Sequence, residues 1–163
     1  MATNFEKEID WRNLNVRRDR EFEPLVEQLV HRHPAIFSHI KDLMIFAAMV
    51  GFNKEHREPI TKDTIPITLH TYSTDQQDGI IYMIALIHSK DGNCLRDEKL
   101  QESIKIFEEY CRAGLLTIQS WLNQRASEEP VVVLLDKIYK QYAKADDSAG
   151  EETEEIPLPD ILS

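Results

Sequence analysis

The sequence contains few of the residues that build specialised scaffolds, and it has no long apolar run. Two cysteines cannot form a disulfide framework, and five scattered glycines exclude a collagen-like chain. The longest apolar segment, residues 43–52, is far shorter than the roughly 18 residues that suggest a membrane span. The first ten residues are charged where a secretion signal has an apolar core. We therefore expect a globular protein of the reducing cytoplasm, without membrane attachment.

Basic residues are scarce, and none lies in the last 18 residues. The formal net charge is −10, but residues 146–163 hold seven acids, so residues 1–145 carry only −3. Residues 11–57 hold eight bases and six acids and form the one segment with a positive balance. The length fits a single domain. We predict a loose N-terminus (1–10), one helical domain (11–145) and an acidic disordered tail (146–163).

Hydrophobic periodicity predicts a mainly α-helical fold with a short N-terminal strand. Polar and apolar residues alternate over 13–17, which is typical of a half-buried strand, and residues 65–70 are a candidate for a further short strand, expected near 67–71. Helices are predicted over 23–32, over 38–52 with Ser38 as the N-cap, from Asp75 or Asp78 to about 87, from about 97 to 124, and over 131–144. The long helix carries one apolar stripe: Leu100, Ile104, Phe107, Cys111, Leu115, Ile118 and Leu122.

Three groups of residues resemble parts of catalytic or metal sites. His31 and His33, with His39 and His56 further along, lack the helical spacing that turns two histidines toward one ion. The acid-x-Lys triplet at residues 97–99 opens a helix, whereas metal-dependent nucleases carry this triplet on a strand. His88 and Cys94 have neither an orienting group nor an oxyanion hole in the pattern. We expect a protein that is not an enzyme and binds no metal or cofactor.

The order strand, helix, turn, helix at the N-terminus is that of ribbon-helix-helix proteins, which pair their single strands in a homodimer and read DNA with that ribbon. In this arrangement Leu14 and Val16 face the core and the polar positions face outward. Asparagine and arginine can make bidentate hydrogen bonds to adenine and guanine. A plain edge strand with a solvated face is the competing interpretation. The candidate DNA-binding residues are Arg12, Asn13, Asn15, Arg17, Arg18 and Arg20.

Several sequence blocks carry a family resemblance. Residues 39–52 read HIKDLMIFAAMVGF, residues 57–60 read REPI, residues 106–115 read IFEEYCRAGL, and residues 23–26 read EPLV. Over roughly residues 14–125 the chain resembles the family called DNA phosphorothioation-associated protein 4. That family usually has Ala-Asn-Gly-Gly after the tyrosine, where this chain has Cys-Arg-Ala-Gly at residues 111–114. Most matching positions are apolar, so the resemblance transfers no functional residue.

The resemblance implies a genomic context, because members are small bacterial proteins encoded beside systems that replace a DNA phosphate oxygen by sulfur, or beside the linked restriction genes. We therefore expect a non-catalytic accessory or regulatory protein of such an antiviral defence system, acting through DNA or through partner proteins of the same system. Two alternatives stay open: a dimeric ribbon-helix-helix transcriptional regulator, and an assembly subunit that makes no DNA contact. A nuclease is the least favoured interpretation.

Overall fold

The computed structural model describes the backbone of residues 10–149 and the side chains of residues 10–146. Helices dominate, and two short strands form an antiparallel sheet. The elements in chain order are β1 (Asn15–Asp19), α1 (Glu23–Val26), α2 (Ile40–Asn53), β2 (Thr64–Thr68), α3 (Leu69–Ser73), α4 (Asp78–Ser89), α5 (Leu100–Gln124) and α6 (Pro130–Ala149). The predicted mainly helical fold with an N-terminal strand is confirmed. None of these described helices is long and apolar enough to cross a membrane.

The crossing of α2 and α5 forms the centre of the fold. A Cβ atom at Gly114 would lie 1.7 Å from the carbonyl oxygen of Ala47, and one at Gly51 would lie 2.1 Å from that of Tyr110. Glycine at these two positions therefore lets the two backbones touch. All seven residues of the predicted α5 stripe are buried, as is much of α2. Further apolar residues of α2, Ile40, Ile45, Phe46 and Phe52, are partly buried against the same core.

The sheet joins β1 to a strand of the same chain. Val16 pairs with Ile67 and Arg17 with Pro66 in antiparallel register. The expected further strand is present as β2, but it lies at Thr64–Thr68, a few residues before the predicted 67–71, and the chain turns into α3 at Leu69. Leu69 and the tyrosine three residues later are both fully buried on one face of that short helix. The intersubunit ribbon of the ribbon-helix-helix hypothesis is not needed to complete this sheet.

Helix boundaries differ from the predicted ones by a few residues. The first helix continues from α1 through a π-helical turn, Glu27–His31, and ends one residue early. Ser38 is not the N-cap of α2; His39 is, and its backbone N–H donates to the Asp42 carboxylate at 3.0 Å. α6 extends past the predicted end and is helical over 146–149, which were assigned to the tail. Residues 1–9 of the predicted loose N-terminus (1–10) and the tail from 150 onward lie outside the described residues.

Candidate functional site

Four of the six predicted DNA-binding residues lie on the outside of the molecule. The guanidinium of Arg12 stacks on the Trp11 ring, 4.8 Å from its centroid. Asn13 and Asn15 are exposed. Arg20 is exposed as well and donates to the Asp63 carboxylate at 2.9 Å. Because both partners of that ion pair face solvent, the pair holds Arg20 only weakly.

Arg17 faces outward as predicted, but its charge is engaged by Glu108 of α5. Its guanidinium makes two hydrogen bonds to that carboxylate, at 3.1 and 3.0 Å, and its backbone N–H donates to the same carboxylate at 2.7 Å. Burial raises the pKa of Glu108, while the hydrogen bonds from Arg17 oppose this rise. The interaction neutralises Arg17 and also occupies the edge of β1 that does not face β2.

Arg18 lies on the inner face of β1, so the prediction that it contacts DNA at the surface does not fit its position. Its side chain is only 2% exposed, and Nη2 donates to Glu23 at 2.5 Å. Within the described residues, Nε and Nη1 have no hydrogen-bond partner. The alternation explains this placement, because Val16 and Arg18 share the buried face while Asn15 and Arg17 share the outer one.

A second base of the basic segment is also paired with an acid of α5, because Arg57 contacts Glu109 at 3.1 Å. Arg112 of α5 instead pairs with two acids of the segment, Asp19 at 2.7 Å and Glu21 at 2.5 Å. The acids of α5 lie about ninety residues beyond β1 in the sequence, and no local pattern signals these contacts. The positive balance of residues 11–57 therefore overstates the free positive charge on the surface.

The residues that resembled parts of a metal or catalytic site have separate local partners. His31, His39 and His56 each bond to an acid within four residues of itself. Residues 97–99 form a single 3-10 turn before α5 and not a strand. Within the described residues, no three side chains of His, Cys, Asp or Glu are grouped so that they could hold a metal ion.

His88 belongs to a surface cleft that sequence reasoning missed. We call it the α2–α4 cleft; its volume is about 610 Å³, and it is lined by Met49, Phe52, Asn53, Glu55, Ile87, His88, Lys90 and Tyr110. Tyr110 is nearly buried at its base, and its hydroxyl is hydrogen-bonded to Nδ1 of His88 at 3.0 Å. The Phe52 ring packs edge-on against Tyr110, with 5.4 Å between centroids.

The chemistry of the α2–α4 cleft is that of a binding surface with apolar walls. Met49 is 39% exposed and Ile87 is 49% exposed, although each is a large apolar side chain. Burial, together with the nearby charge of Arg57, lowers the pKa of His88, so the imidazole is neutral at neutral pH. The cleft thus offers apolar contacts from Met49, Phe52 and Ile87 beside polar groups that include the neutral imidazole of His88.

Two helix ends at the rim of the α2–α4 cleft have an unusual backbone. Glu55 and Lys90 follow α2 and α4 with φ of 52° and 54°. This left-handed region favours glycine, and a residue with a Cβ atom adopts it at a cost of roughly 1 kcal/mol. Both positions therefore carry charged side chains where glycine would give a more stable helix end.

A smaller cavity of about 320 Å³ lies near the N-terminal turn and is lined by Trp11, Asp78, Tyr82, Leu95, Asp97 and Leu100. Burial, the charge of Asp78 and a hydrogen bond to it raise the pKa of Tyr82 to about 12. The shift favours the protonated hydroxyl, which donates a hydrogen bond to Asp78.

Comparison with known protein families identifies the family of this chain. The family model of the DNA sulphur modification system-associated protein 4 matches residues 15–155, so the chain belongs to this family. The match includes β1, the α2–α5 crossing and both walls of the α2–α4 cleft. No curated protein and no solved structure matches the chain.

Proposed function

We propose that this member of the DNA sulphur modification system-associated protein 4 family is a non-catalytic accessory protein of a cytoplasmic DNA phosphorothioation and restriction system. In this proposal it acts by holding another protein of that system, and an amphipathic helix of the partner lies in the α2–α4 cleft. The observation that carries the proposal is the cleft itself, where Met49 and Ile87 stay exposed beside the aromatic base. Grooves between helices commonly bind the apolar face of a partner helix.

The strained backbone at the ends of α2 and α4 also favours a binding role for the α2–α4 cleft. Glu55 and Lys90 flank the cleft in a left-handed conformation that costs stability. Strain of this kind tends to collect where a side chain serves a binding role. A charged rim around an apolar centre is also the usual composition of a protein–protein interface.

Duplex DNA is the second candidate ligand, and the exposed positions of Arg12, Asn13, Asn15 and Arg20 favour it. Against it stand the bidentate pairing of Arg17 and the formal charge of −10. A protein that relies on phosphate contacts needs unpaired positive charge on one face. We therefore place protein binding first.

The proposal is tested with purified proteins of the modification and restriction system, titrated singly against this chain by calorimetry. We expect one of them to bind and Ile87→Glu to weaken that binding at least about tenfold, because a carboxylate would be buried against apolar side chains. Leu116→Glu is the matched control, since Leu116 is exposed on α5 and does not line the cleft. Equal loss in both variants, or binding unaffected by Ile87→Glu, would contradict the assignment of the cleft.

DNA binding is tested with a labelled duplex at two salt concentrations. If DNA is the ligand, affinity falls steeply with salt and Arg12→Ala and Arg20→Ala each flatten the slope. If the protein binds another protein and not DNA, its affinity for the duplex should be too weak to measure at physiological salt.

A cell assay connects the α2–α4 cleft to defence. Loss of phage restriction in cells that carry Ile87→Glu, but not in cells that carry Leu116→Glu, would link the cleft to defence.

A further inference from the structure

The sequence that follows α6 contains one apolar segment that neither the fold nor the proposed function uses. Residues 150–155 read GETEEE in composition, with four glutamates and no large apolar side chain, whereas residues 156–162 read IPLPDIL. Both ranges lie outside the described residues. Proline fixes φ near −65° and disfavours a helix, so two prolines separated by one residue favour an extended backbone. We call residues 156–162 the apolar tail segment; its composition is typical of short ligands that bind in an extended conformation.

The base of the α2–α4 cleft has the chemistry that such ligands need. Pro-rich segments bind in grooves lined by aromatic side chains, and their backbone carbonyls are free to accept hydrogen bonds from the groove. Phe52 and Tyr110 supply two aromatic rings. Within the part of the chain that the structure describes, the side-chain N–H groups of Asn53 and the Nε2 atom of His88 have no hydrogen-bond partner. The cleft therefore offers aromatic contacts together with unused polar groups.

α6 is held against the end of α2 that forms one wall of the cleft. The Gln141 side-chain amide donates a hydrogen bond to the side-chain carbonyl of Asn53, which lines the cleft. Close by, the ammonium groups of Lys54 and Lys137 lie over the Trp121 ring, 5.5 and 5.7 Å from its centroid. The chain that leaves α6 therefore starts near the cleft.

The connection from α6 to the apolar tail segment is long enough to return to the cleft. α6 ends at Ala149, eight residues beyond Gln141, which corresponds to about 12 Å along a helix. Ile156 follows seven residues after Ala149, and an extended chain of that length spans about 23 Å. The connection is thus about twice the return distance, so the segment can reach Asn53 while α6 keeps its contacts.

We infer that the apolar tail segment binds in the α2–α4 cleft of its own chain and competes there with the partner protein. The inference rests on the proposed function only in taking the cleft as a binding surface. A short flexible tether holds its ligand at an effective concentration on the order of 1 mM, so a segment with a dissociation constant of about 100 µM would fill about nine clefts in ten. A partner then binds only if it displaces the segment, which sets a threshold for assembly.

A fluorescein-labelled peptide of residues 150–163 tests this occupancy by fluorescence anisotropy. The peptide is titrated with the full chain and with the full-length double variant Leu158→Glu, Ile161→Glu, whose own segment should not enter an apolar cleft. We expect the double variant to bind the peptide about tenfold more tightly than the wild type, because its cleft is free.

The matched control carries the same added charge in the connection. Gly150→Glu with Thr153→Glu leaves the apolar tail segment intact, so this variant should bind the peptide as weakly as the wild type. Equal peptide affinities for the wild type and the Leu158→Glu, Ile161→Glu variant would overturn the inference.

A third substitution tests whether the peptide binds in the cleft. Ile87→Glu, added to the Leu158→Glu, Ile161→Glu variant, should weaken peptide binding at least about tenfold. Leu116→Glu in the same background should not, since Leu116 is exposed on α5 and does not line the cleft. Peptide binding that Ile87→Glu leaves unchanged would overturn the inference.

A photo-crosslink shows whether the segment binds its own chain. A benzophenone amino acid replaces Leu158 in the full chain, because benzophenone reacts readily with methionine and Met49 lines the cleft. We expect a monomer-sized product in which mass spectrometry joins residue 158 to the tryptic peptide of residues 42–54. A dimer-sized product, or attachment away from the cleft, would overturn the inference. None of these assays uses another protein, so their outcome is separate from that of the partner titration that tests the proposed function.

Discussion

At Gly114 a single methyl group determines whether α5 can cross α2. A Cβ there meets backbone atoms of Ala47 and not a flexible side chain, so the clash cannot be relieved by a rotamer change. We expect Gly114→Ala to lower the unfolding free energy by at least about 2 kcal/mol, despite the better helix propensity of alanine. Thermal and urea denaturation measure the effect.

Gly79 provides the control, because it lies in α4 and a Cβ there meets no atom within 4 Å. Gly79→Ala should stabilise the protein by up to about 1 kcal/mol through helix propensity. If Gly114→Ala were as stable as Gly79→Ala, the close crossing of the two backbones would be disproved.

Asp19 is the buried acid whose ionisation the fold favours. Burial alone would raise its pKa, but hydrogen bonds from Thr61 and Arg112 and the charge of Arg112 hold the pKa below its usual value. A lowered folded-state pKa contributes stability that is present above the unfolded-state pKa of about 4 and is lost as pH falls through the folded-state value. We therefore expect Asp19→Asn to flatten the loss of stability between about pH 5 and pH 2.

The measurement is urea unfolding of both proteins across that pH range. Asp63→Asn is the matched control, since Asp63 is largely exposed in its pair with Arg20. An exposed pair contributes little, so this variant should keep the wild-type slope. Identical slopes for the wild type and Asp19→Asn would show that the buried pair does not drive the acid sensitivity.

At the scale of elements, the left-handed end of α4 predicts a conflict between stability and binding. Lys90→Gly relieves the strained φ of 54°, so it should raise the unfolding free energy by about 1 kcal/mol. The same change removes a charged side chain from the rim of the α2–α4 cleft, so partner affinity should fall. Calorimetry and thermal melting on one preparation check both effects; a gain in stability without a loss in affinity would show that the rim charge serves no binding role.

Elements in which the hydrophobic repeat continues over many residues could be predicted from the sequence, and short elements could not. The α5 stripe extends over 25 residues, so small errors at either end leave the helix recognisable. β1 was recognisable because Asn15, Val16 and Arg17 alternate. α3 has only five residues, which is too short for a helical period to be recognised. The position of β2 depended on its pairing with β1, which lies almost fifty residues away.

The whole molecule determines which charges are free, and this is why the candidate site was harder to predict than the fold. Counting charges along the sequence gives residues 11–57 a positive balance. In the folded chain, Glu108 and Glu109 of α5 form ion pairs with Arg17 and Arg57, respectively. The burial of Arg18 follows from its strand face. The α2–α4 cleft combines residues from three helices, so no continuous motif could reveal it.

The balance of charge over the whole chain gives the last prediction. Removing residues 151–163 deletes five acids and changes the formal net charge from −10 to −5. If the acids repel DNA only through long-range charge, the shortened chain should bind duplex DNA more tightly than the full chain at about 10 mM salt, where screening extends over roughly 30 Å. At about 150 mM salt the screening length falls to roughly 8 Å, and both forms should bind too weakly to measure, with dissociation constants above about 10 µM. Fluorescence anisotropy with one labelled duplex at both salt concentrations measures this. Tight binding by the full chain at the higher salt, lost in Arg12→Ala, would instead make the β1 face a DNA-binding surface and place DNA ahead of protein as the ligand.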